Sequence, residues 1–229
     1  MKRFLKVAIV GASEEAWKQI PDGIDKAKKK IEEIIDSYLF AIGTAKINID
    51  RGAWEGTVKE LVIISGHSPR GGIDIWTEEI AQKLGVRTEI YPPEVNQWND
   101  KTVRVCNTCG ELSDILDDTV IHDAIIQDPN HPHYWRLVTK RGYRSRNIQI
   151  AKECNILYDI EPANSCKYCK GRGYFYVEED RPISFNRSKV FHKMIKCPKC
   201  EGDGAYSGGT WTLKYARNLG KEVHKIIIG

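Results

Sequence analysis

Seven cysteines stand out in this chain of 229 residues, because six of them form pairs separated by two residues. The pairs are Cys106/Cys109, Cys166/Cys169 and Cys197/Cys200, and Cys154 stands alone. The N-terminal residues lack the long apolar segment and small-residue cleavage site of a secretion signal. We therefore expect a soluble cytoplasmic protein, in which cysteine pairs of this spacing are typical of metal ligation and not of disulfides.

The second and third pairs belong to one repeated motif, Cys-x-x-Cys-x-Gly-x-Gly. It occurs at residues 166–173 and again at residues 197–204. Four thiolates from two such turns make a closed tetrahedral site, which predicts one zinc ion with a structural and not a catalytic role. Redox-active cysteines are the alternative. Apolar and aromatic residues between the two halves predict a β-hairpin, so that a finger occupies residues 163–206.

This pair of motifs is similar to half of the cysteine-rich region of DnaJ-type chaperones. The resemblance covers about forty residues. Those chaperones carry four repeats for two zinc ions, and this chain carries two repeats. The resemblance therefore also implies one zinc ion, held by Cys166, Cys169, Cys197 and Cys200.

Cys106 and Cys109 form an incomplete second site. Two further ligands would come from His122, His131 or His133, and the motif His131-Pro132-His133 places two imidazoles close together. The distance from Cys109 in the sequence is long and irregular for a zinc motif. The sequence leaves open whether these residues bind a second zinc ion or are ordinary side chains.

Three glycine-rich turns form the second group of residues that could do chemistry. They contain Gly11 and Ser13; Gly66, Arg70, Gly71 and Gly72; and Gly208, Gly209 and Thr210. Main-chain N–H groups at a helix N-terminus bind anions, glycine lets a phosphate approach them, and an arginine adds a bidentate contact. These turns predict a nucleotide-binding site. The alternative is that their glycines only permit tight turns.

The elements that must position these turns alternate between strand and helix. Buried strands are predicted at residues 4–10, 60–65, 87–91, 156–160 and 222–228, and helices at 22–38, 73–84, 144–154 and 210–219. Such alternation predicts an α/β fold, a Rossmann-like three-layer domain with a parallel sheet, which binds ligands at the carboxyl ends of its strands. We assign this domain to residues 1–97 and 142–229. Residues 98–141 and the finger are interpreted as insertions.

Taken together, several motifs resemble the SLOG superfamily, which includes DprA-like Rossmann domains, the LOG cytokinin-activating phosphoribohydrolases and the YspA-related branch. The motifs are Val10-Gly11-Ala12-Ser13, Ser65-Gly66, Gly71-Gly72-Ile73-Asp74, Arg146-Asn147 and Gly208-Gly209-Thr210. The resemblance covers most of the chain outside the two insertions. It implies a nucleotide-binding domain in which Arg146 and Asn147 face the same pocket as the glycine turns. Some members hydrolyse N-glycosidic bonds.

One departure from this family bears on catalysis. The phosphoribohydrolases place a glutamate shortly after the second phosphate-binding turn, whereas Thr210 is followed here by Trp-Thr-Leu-Lys. Asp74, Glu78 or Glu79 could supply a carboxylate instead, and Asp74 and Glu78, four residues apart, would share a helix face. The alternative for Glu78 is ordinary surface charge.

Three functions are consistent with these patterns. The first is binding of a nucleotide or phosphorylated nucleoside derivative, and the second is hydrolysis of a nucleoside 5′-phosphate as an N-glycosidase. The third is nucleic-acid binding through the finger, against which the formal net charge of only +4 argues. No apolar run is long enough for a membrane span. A homodimer is possible, since relatives often dimerise.

Overall fold

A five-stranded parallel sheet organises the larger of the two units into which the chain divides. That unit comprises Met1–Tyr91 and Gln149–Gly229, and the second comprises Pro92–Ile148. The computed structural model describes residues 4–43, 60–106, 112–114, 126–127, 134–183 and 187–229. In chain order, its helices and strands are β1 (Phe4–Gly11), α1 (Glu14–Trp17), α2 (Gly23–Gly43), β2 (Glu60–Ser65), α3 (Ile73–Lys83), β3 (Arg87–Ile90), β4 (Lys101–Cys106), β5 (Leu112–Asp114), β6 (Ile126–Gln127), β7 (Tyr134–Lys140), α4 (Tyr143–Glu153), β8 (Ile156–Pro162), β9 (Tyr174–Ile183), β10 (Arg187–Lys196), α5 (Gly208–Asn218) and β11 (Glu222–Ile228).

The order of strands in the main sheet is β11-β8-β1-β2-β3, and every neighbouring pair is parallel. Along the chain, the sheet first grows from β1 toward β3 and then from β1 in the opposite direction. The point at which strand order reverses therefore lies between β1 and β8, where open α/β sheets bind their ligands. The predicted α/β class with a Rossmann-like parallel sheet is confirmed.

Each face of the sheet carries its own core, which explains the continuous apolar runs of β1 and β2. On one face, α2 and α3 pack Ile31, Ile35 and Ile73 against the strands. Trp17 and Trp76 meet there edge to face, with 6.2 Å between ring centroids. On the other face, Leu213 of α5 packs with residues 150–154.

The second unit contains a four-stranded antiparallel sheet of order β5-β4-β7-β6. In this sheet β4 pairs with β7 from Lys101 opposite Lys140 to Cys106 opposite Trp135. Cys109, His122, His131 and His133, predicted as parts of a second metal site, lie outside the described residues, as does the side chain of Cys106.

The finger contains one antiparallel pair, β9 with β10, in which Tyr174 lies opposite Lys196. It leaves the main sheet after β8 and returns to it at α5. Within the described parts of the chain, every helix is too short or too polar to cross a membrane.

Candidate functional site

Four buried cysteine side chains converge at the base of the finger. The sulfur atoms of Cys166, Cys169, Cys197 and Cys200 all lie within 4.8 Å of one another. The Sγ–Sγ distance is 3.9 Å between Cys166 and Cys197 and 3.7 Å between Cys169 and Cys200. Each side chain is at most 1% exposed. The four thiols that the repeated motif singled out are therefore positioned to hold a metal ion.

The two halves of this cluster have the same backbone. We call residues 166–173 the first knuckle and residues 197–204 the second knuckle. In both, the three residues at the first, second and fourth positions after the second cysteine have positive φ: Lys170, Gly171 and Gly173 in the first, and Glu201, Gly202 and Gly204 in the second. The Gly173 N–H donates to Cys169 Sγ at 3.2 Å, and the Gly204 N–H donates to Cys200 Sγ at 3.3 Å. Such N–H groups stabilise negative charge on the sulfur atoms that they face.

Each knuckle also closes against the other through its last glycine. A Cβ atom at Gly173 would lie 2.3 Å from the Gly202 carbonyl oxygen, and one at Gly204 would lie 2.3 Å from that of Gly171. The Cys197 N–H donates to the Gly173 carbonyl at 2.8 Å, and the Cys166 N–H donates to that of Gly204 at the same distance. Only glycine permits this approach, which accounts for its repetition in the motif.

A cavity of about 760 Å³ lies at the carboxyl ends of β1 and β8, at the strand-order reversal. Its lining residues are Ala12, Ser13, Glu15, Ala16, Gln19, Arg70, Ala163, Asn164, Ser165, Cys166, Lys167, Tyr168, Lys170, Tyr206, Ser207 and Gly208. The first knuckle therefore forms one wall. Of the residues predicted to bind a nucleotide, Ser13, Arg70 and Gly208 line this cavity.

The charge of the lining favours an anionic ligand. Three described lining residues are cationic, namely Arg70, Lys167 and Lys170, against the single carboxylate of Glu15. Glu15 is itself paired with Lys18, with 2.8 Å between Oε2 and Nζ. The cavity volume falls within the range that suits a small-molecule ligand.

The three predicted glycine turns come together at this edge of the sheet, but they do so by packing on one another. A Cβ atom at Gly209 would lie 2.6 Å from Gly11 Cα, and one at Gly72 would lie 2.4 Å from the Ala12 carbonyl oxygen. Gly66 is buried. Close approach between backbones thus accounts for glycine at positions 11, 72 and 209.

Several main-chain N–H groups that the sequence suggested for phosphate binding already donate within the protein. Their hydrogen bonds run from His67 to Ser65 Oγ (3.2 Å), from Arg70 to Ser68 Oγ (3.4 Å), from Gly71 to Ser68 O (3.0 Å), from Ile73 to Ala12 O (3.2 Å) and from Gly209 to Ser207 Oγ (2.9 Å). Serine hydroxyls satisfy three of these donors locally, and main-chain carbonyls satisfy the other two. An anion in the cavity would therefore be held mainly by side chains.

The carboxylates predicted for catalysis lie elsewhere. Glu78 accepts a hydrogen bond from Ser65 Oγ at 2.6 Å and faces His67 Nδ1 at 2.8 Å. Asp74 is buried in the first turn of α3. Neither residue lines the cavity in the described part of the chain. Arg146 and Asn147 belong to the second unit, where both are buried on α4 and the Arg146 guanidinium lies 5.3 Å from the Tyr143 ring centroid.

Two carboxylates that the sequence analysis missed lie beside the cavity. Asp159 and Glu161, both fully buried, are on the same face of β8. The Thr210 hydroxyl donates to Asp159 Oδ2 at 2.9 Å, and the hydroxyl of Ser207, a cavity residue, donates to Glu161 Oε1. Asp159 Oδ1 and Glu161 Oε2 have no hydrogen-bond partner among the described residues.

Burial changes the acidity of this pair. It raises the pKa of Asp159 to about 6. It also raises the pKa of Glu161 well above its ordinary value, and the neighbouring Asp159 carboxylate raises it further. The pair therefore retains a proton under conditions in which exposed carboxyls are ionised. The available signal in the sequence was a pair of acidic residues two apart at the end of an apolar strand, but the predicted strand stopped at Ile160.

Comparisons of the chain with protein-family models, with curated proteins and with solved structures found no match. Function is therefore inferred from the geometry above and from the motifs of the sequence.

Proposed function

We propose that this chain is a zinc-containing, SLOG-like protein that binds a nucleotide or a phosphorylated nucleoside derivative in the cavity at the carboxyl edge of its sheet. The observation that carries the proposal is a cavity of ligand size at the strand-order reversal, lined by three cationic side chains. Arg70, with its planar guanidinium, is suited to the phosphate, and the serine hydroxyls of the lining supply neutral polar contacts.

Zinc is the metal that best fits the four-cysteine cluster. Four thiolates from two Cys-x-x-Cys turns suit its tetrahedral preference, and a closed ligand set leaves no position for a substrate. The burial of all four side chains agrees with a structural role. In this proposal, the zinc ion makes the finger a rigid insertion between β8 and α5.

A titration series tests nucleotide binding. Calorimetry would compare a nucleoside with its 5′-monophosphate, diphosphate and triphosphate on the zinc-loaded protein. We expect the phosphorylated forms to bind more tightly, and Arg70→Ala to weaken them about tenfold, since a hydrogen bond to a charged group contributes roughly 1.5–3 kcal/mol. Lys83→Ala is the control, because Lys83 is exposed on α3 and pairs with Glu32 at 3.0 Å. Equal affinity for the nucleoside and its phosphates, or no binding at all, would count against the proposal.

The buried carboxyl pair favours a second candidate, hydrolysis of a nucleoside 5′-phosphate at its N-glycosidic bond. A carboxyl group that keeps its proton near neutral pH can act as a general acid. Here, the Ser207 hydroxyl would turn from Glu161 toward the ligand and give its proton to the departing base, while Ser207 Oγ takes the proton of Glu161. Water adds to the anomeric carbon of the ribose as the bond to the base breaks, and the proton that this water loses restores Glu161. The products are the free base and ribose 5-phosphate.

Release of the base is the measurement for this candidate. Each nucleoside 5′-monophosphate would be incubated with the protein, and free base would be detected by chromatography. We expect Glu161→Gln to abolish release and leave nucleotide affinity within about twofold. If the wild-type protein releases no base from any nucleotide that it binds, the function is binding alone.

A further inference from the structure

The two knuckles share a backbone but have different neighbours. The second knuckle is fastened to α5: Lys214 Nζ donates to the Lys199 carbonyl at 2.6 Å and pairs with Glu201 Oε1 at 3.1 Å. Arg217 pairs with Glu201 as well, at 3.4 Å. The first knuckle instead contributes Lys167, Tyr168 and Lys170 to the cavity wall. The second knuckle thus attaches the finger to α5, and the first knuckle faces the cavity.

Tyr168 is an aromatic surface held in place within this wall. It is 56% exposed. Its ring meets Tyr206 edge to face at 5.8 Å between centroids. The Lys199 ammonium lies 5.0 Å from the centroid of the Tyr168 ring, so the second knuckle also helps to position it. A fixed, exposed ring is the kind of surface on which a nucleobase stacks.

Lys167 and Tyr168 are the two residues between Cys166 and Cys169. A metal ion bound by both cysteines therefore fixes the backbone on either side of these residues. Without the ion, the same segment would have to be ordered when a ligand binds, and that ordering reduces affinity.

We propose that the first knuckle is the base-recognition element of the cavity, with Tyr168 stacking on the nucleobase and Lys167 contacting the phosphate, so that zinc loading controls nucleotide affinity. This inference rests on the proposed nucleotide-binding function. It assigns the zinc ion a role in ligand binding in addition to stabilising the finger.

A comparison of two ligands separates the two side chains. The zinc-loaded protein would be titrated by calorimetry with a nucleoside 5′-monophosphate and with ribose 5-phosphate, which has no base. Tyr168→Ala is expected to weaken the nucleotide about tenfold and leave ribose 5-phosphate unchanged, since stacking requires the base. Lys167→Ala is expected to weaken both ligands, because both carry the phosphate. Tyr168→Phe should bind as the wild-type protein does.

Tyr176→Ala is the matched control, because Tyr176 lies in the same finger and is 58% exposed. It should change neither affinity. The zinc content of every variant would be measured, so that an effect of the side chain is separated from loss of the metal. Removal of zinc with a chelator is expected to weaken the nucleotide at least tenfold, with the far-ultraviolet circular dichroism of the main sheet retained.

Two results would overturn the inference and leave nucleotide binding intact: an unchanged nucleotide affinity in Tyr168→Ala, or an unchanged affinity after zinc removal. Failure of the zinc-loaded wild-type protein to bind any nucleotide would instead remove the proposed function, and the inference with it.

Discussion

The first and second knuckles have nearly identical backbones, but their neighbours differ. Their positive φ values, their N–H to sulfur hydrogen bonds and the contacts of their last glycines, Gly173 and Gly204, match one for one. Yet the Lys-Tyr pair of the first knuckle lines a cavity, while the Pro-Lys pair of the second is held by a helix. The repeated residues therefore determine the backbone that brings the four cysteines together. The two residues between the cysteines differ, and so do the surroundings of each knuckle.

The largest expected effect is the loss of zinc when a cysteine of either knuckle is replaced, which tests whether both knuckles are needed for the metal. Cys166→Ser and Cys197→Ser should each reduce bound zinc from about one ion per chain to none, because structural zinc sites depend on a complete ligand set and contribute roughly 10–16 kcal/mol. Elemental analysis by mass spectrometry measures the content. Retention of zinc in one variant but not in the other would show that the knuckles are not equivalent ligands.

Two further cysteine variants serve as controls in the same measurement. Cys154 is buried beside α4, and burial raises its pKa to about 11, so Cys154→Ser should leave zinc content unchanged. Cys109→Ser tests the second site that the sequence left open. A wild-type content of about two ions, with one lost in Cys109→Ser, would establish that site.

The next largest effect is a loss of zinc affinity when the last glycine of either knuckle is replaced. Gly173→Ala and Gly204→Ala should weaken zinc binding by similar amounts, about 2–3 kcal/mol, because each adds left-handed strain of roughly 1–2 kcal/mol and an overlap with a carbonyl oxygen. Competition with a chelator measures the affinity. Gly85→Ala is the matched control, since Gly85 has φ +68° but open space around its Cβ position. It should leave zinc affinity unchanged, and unequal losses at 173 and 204 would contradict the symmetry.

A pH titration separates the finger from the carboxyl pair beside it. Thiolates bind zinc only when deprotonated, so the contribution of the finger to stability rises with pH. Asp159 and Glu161 act in the opposite direction. Their pKa values are raised in the folded state, so from about pH 4 the unfolded chain releases protons that the folded chain keeps, and the free energy of unfolding falls as pH rises.

For Asp159, this fall is complete once the pH exceeds its folded-state pKa of about 6, and it amounts to about 3 kcal/mol. Urea unfolding at several pH values would compare the wild-type protein with the double variant Asp159→Asn, Glu161→Gln. Subtracting the two curves removes the contribution of the metal. A difference that does not change between pH 4 and pH 7 would show that the pair does not retain its proton.

The smallest expected effect is a difference in stability between variants of the second knuckle's contacts with α5 and variants of the first knuckle. Lys214→Ala removes the contacts to Lys199 and Glu201, and should lower the free energy of unfolding by about 1 kcal/mol. Zinc content should not change. Lys167→Ala should leave stability unchanged, because its side chain is exposed and forms no hydrogen bond or ion pair with the residues that the structure describes. Equal free energies of unfolding for Lys214→Ala and Lys167→Ala in urea would contradict the proposed difference between the two knuckles.

The centre of the main sheet was predictable from the sequence because β1 and β2 are buried on both faces. These two strands therefore appear as apolar runs, interrupted in β1 only by Lys6, and α2 shows a helical period of isoleucines. The cysteine cluster was predictable because two-residue spacing and repeated glycines leave few other geometries. Both signals are local, and each is complete within a short window of residues.

What the sequence could not provide depends on long-range packing. Nothing in the two motifs indicates which knuckle turns toward the sheet, since that depends on Lys214, which follows the second knuckle on a helix. The buried state of Asp159 and Glu161 depends on Ser207 and Thr210, which are separated from them by the whole finger. The occupied N–H groups of the glycine turns likewise became evident only from their acceptors, which are serine hydroxyls and main-chain carbonyls.

The ends of the finger are joined to each other before they reach the sheet. The Tyr206 N–H donates to Ser165 Oγ at 3.2 Å, and the Cys166 N–H donates to the Gly204 carbonyl. These two hydrogen bonds hold the first and last residues of the finger side by side in the connection between β8 and α5. Because its ends are adjacent, we expect that a short turn in place of residues 163–206 would leave β8 and α5 where they are. We also expect that the finger, inserted between a strand and a helix of another α/β protein, would place its first knuckle beside the cavity of that protein.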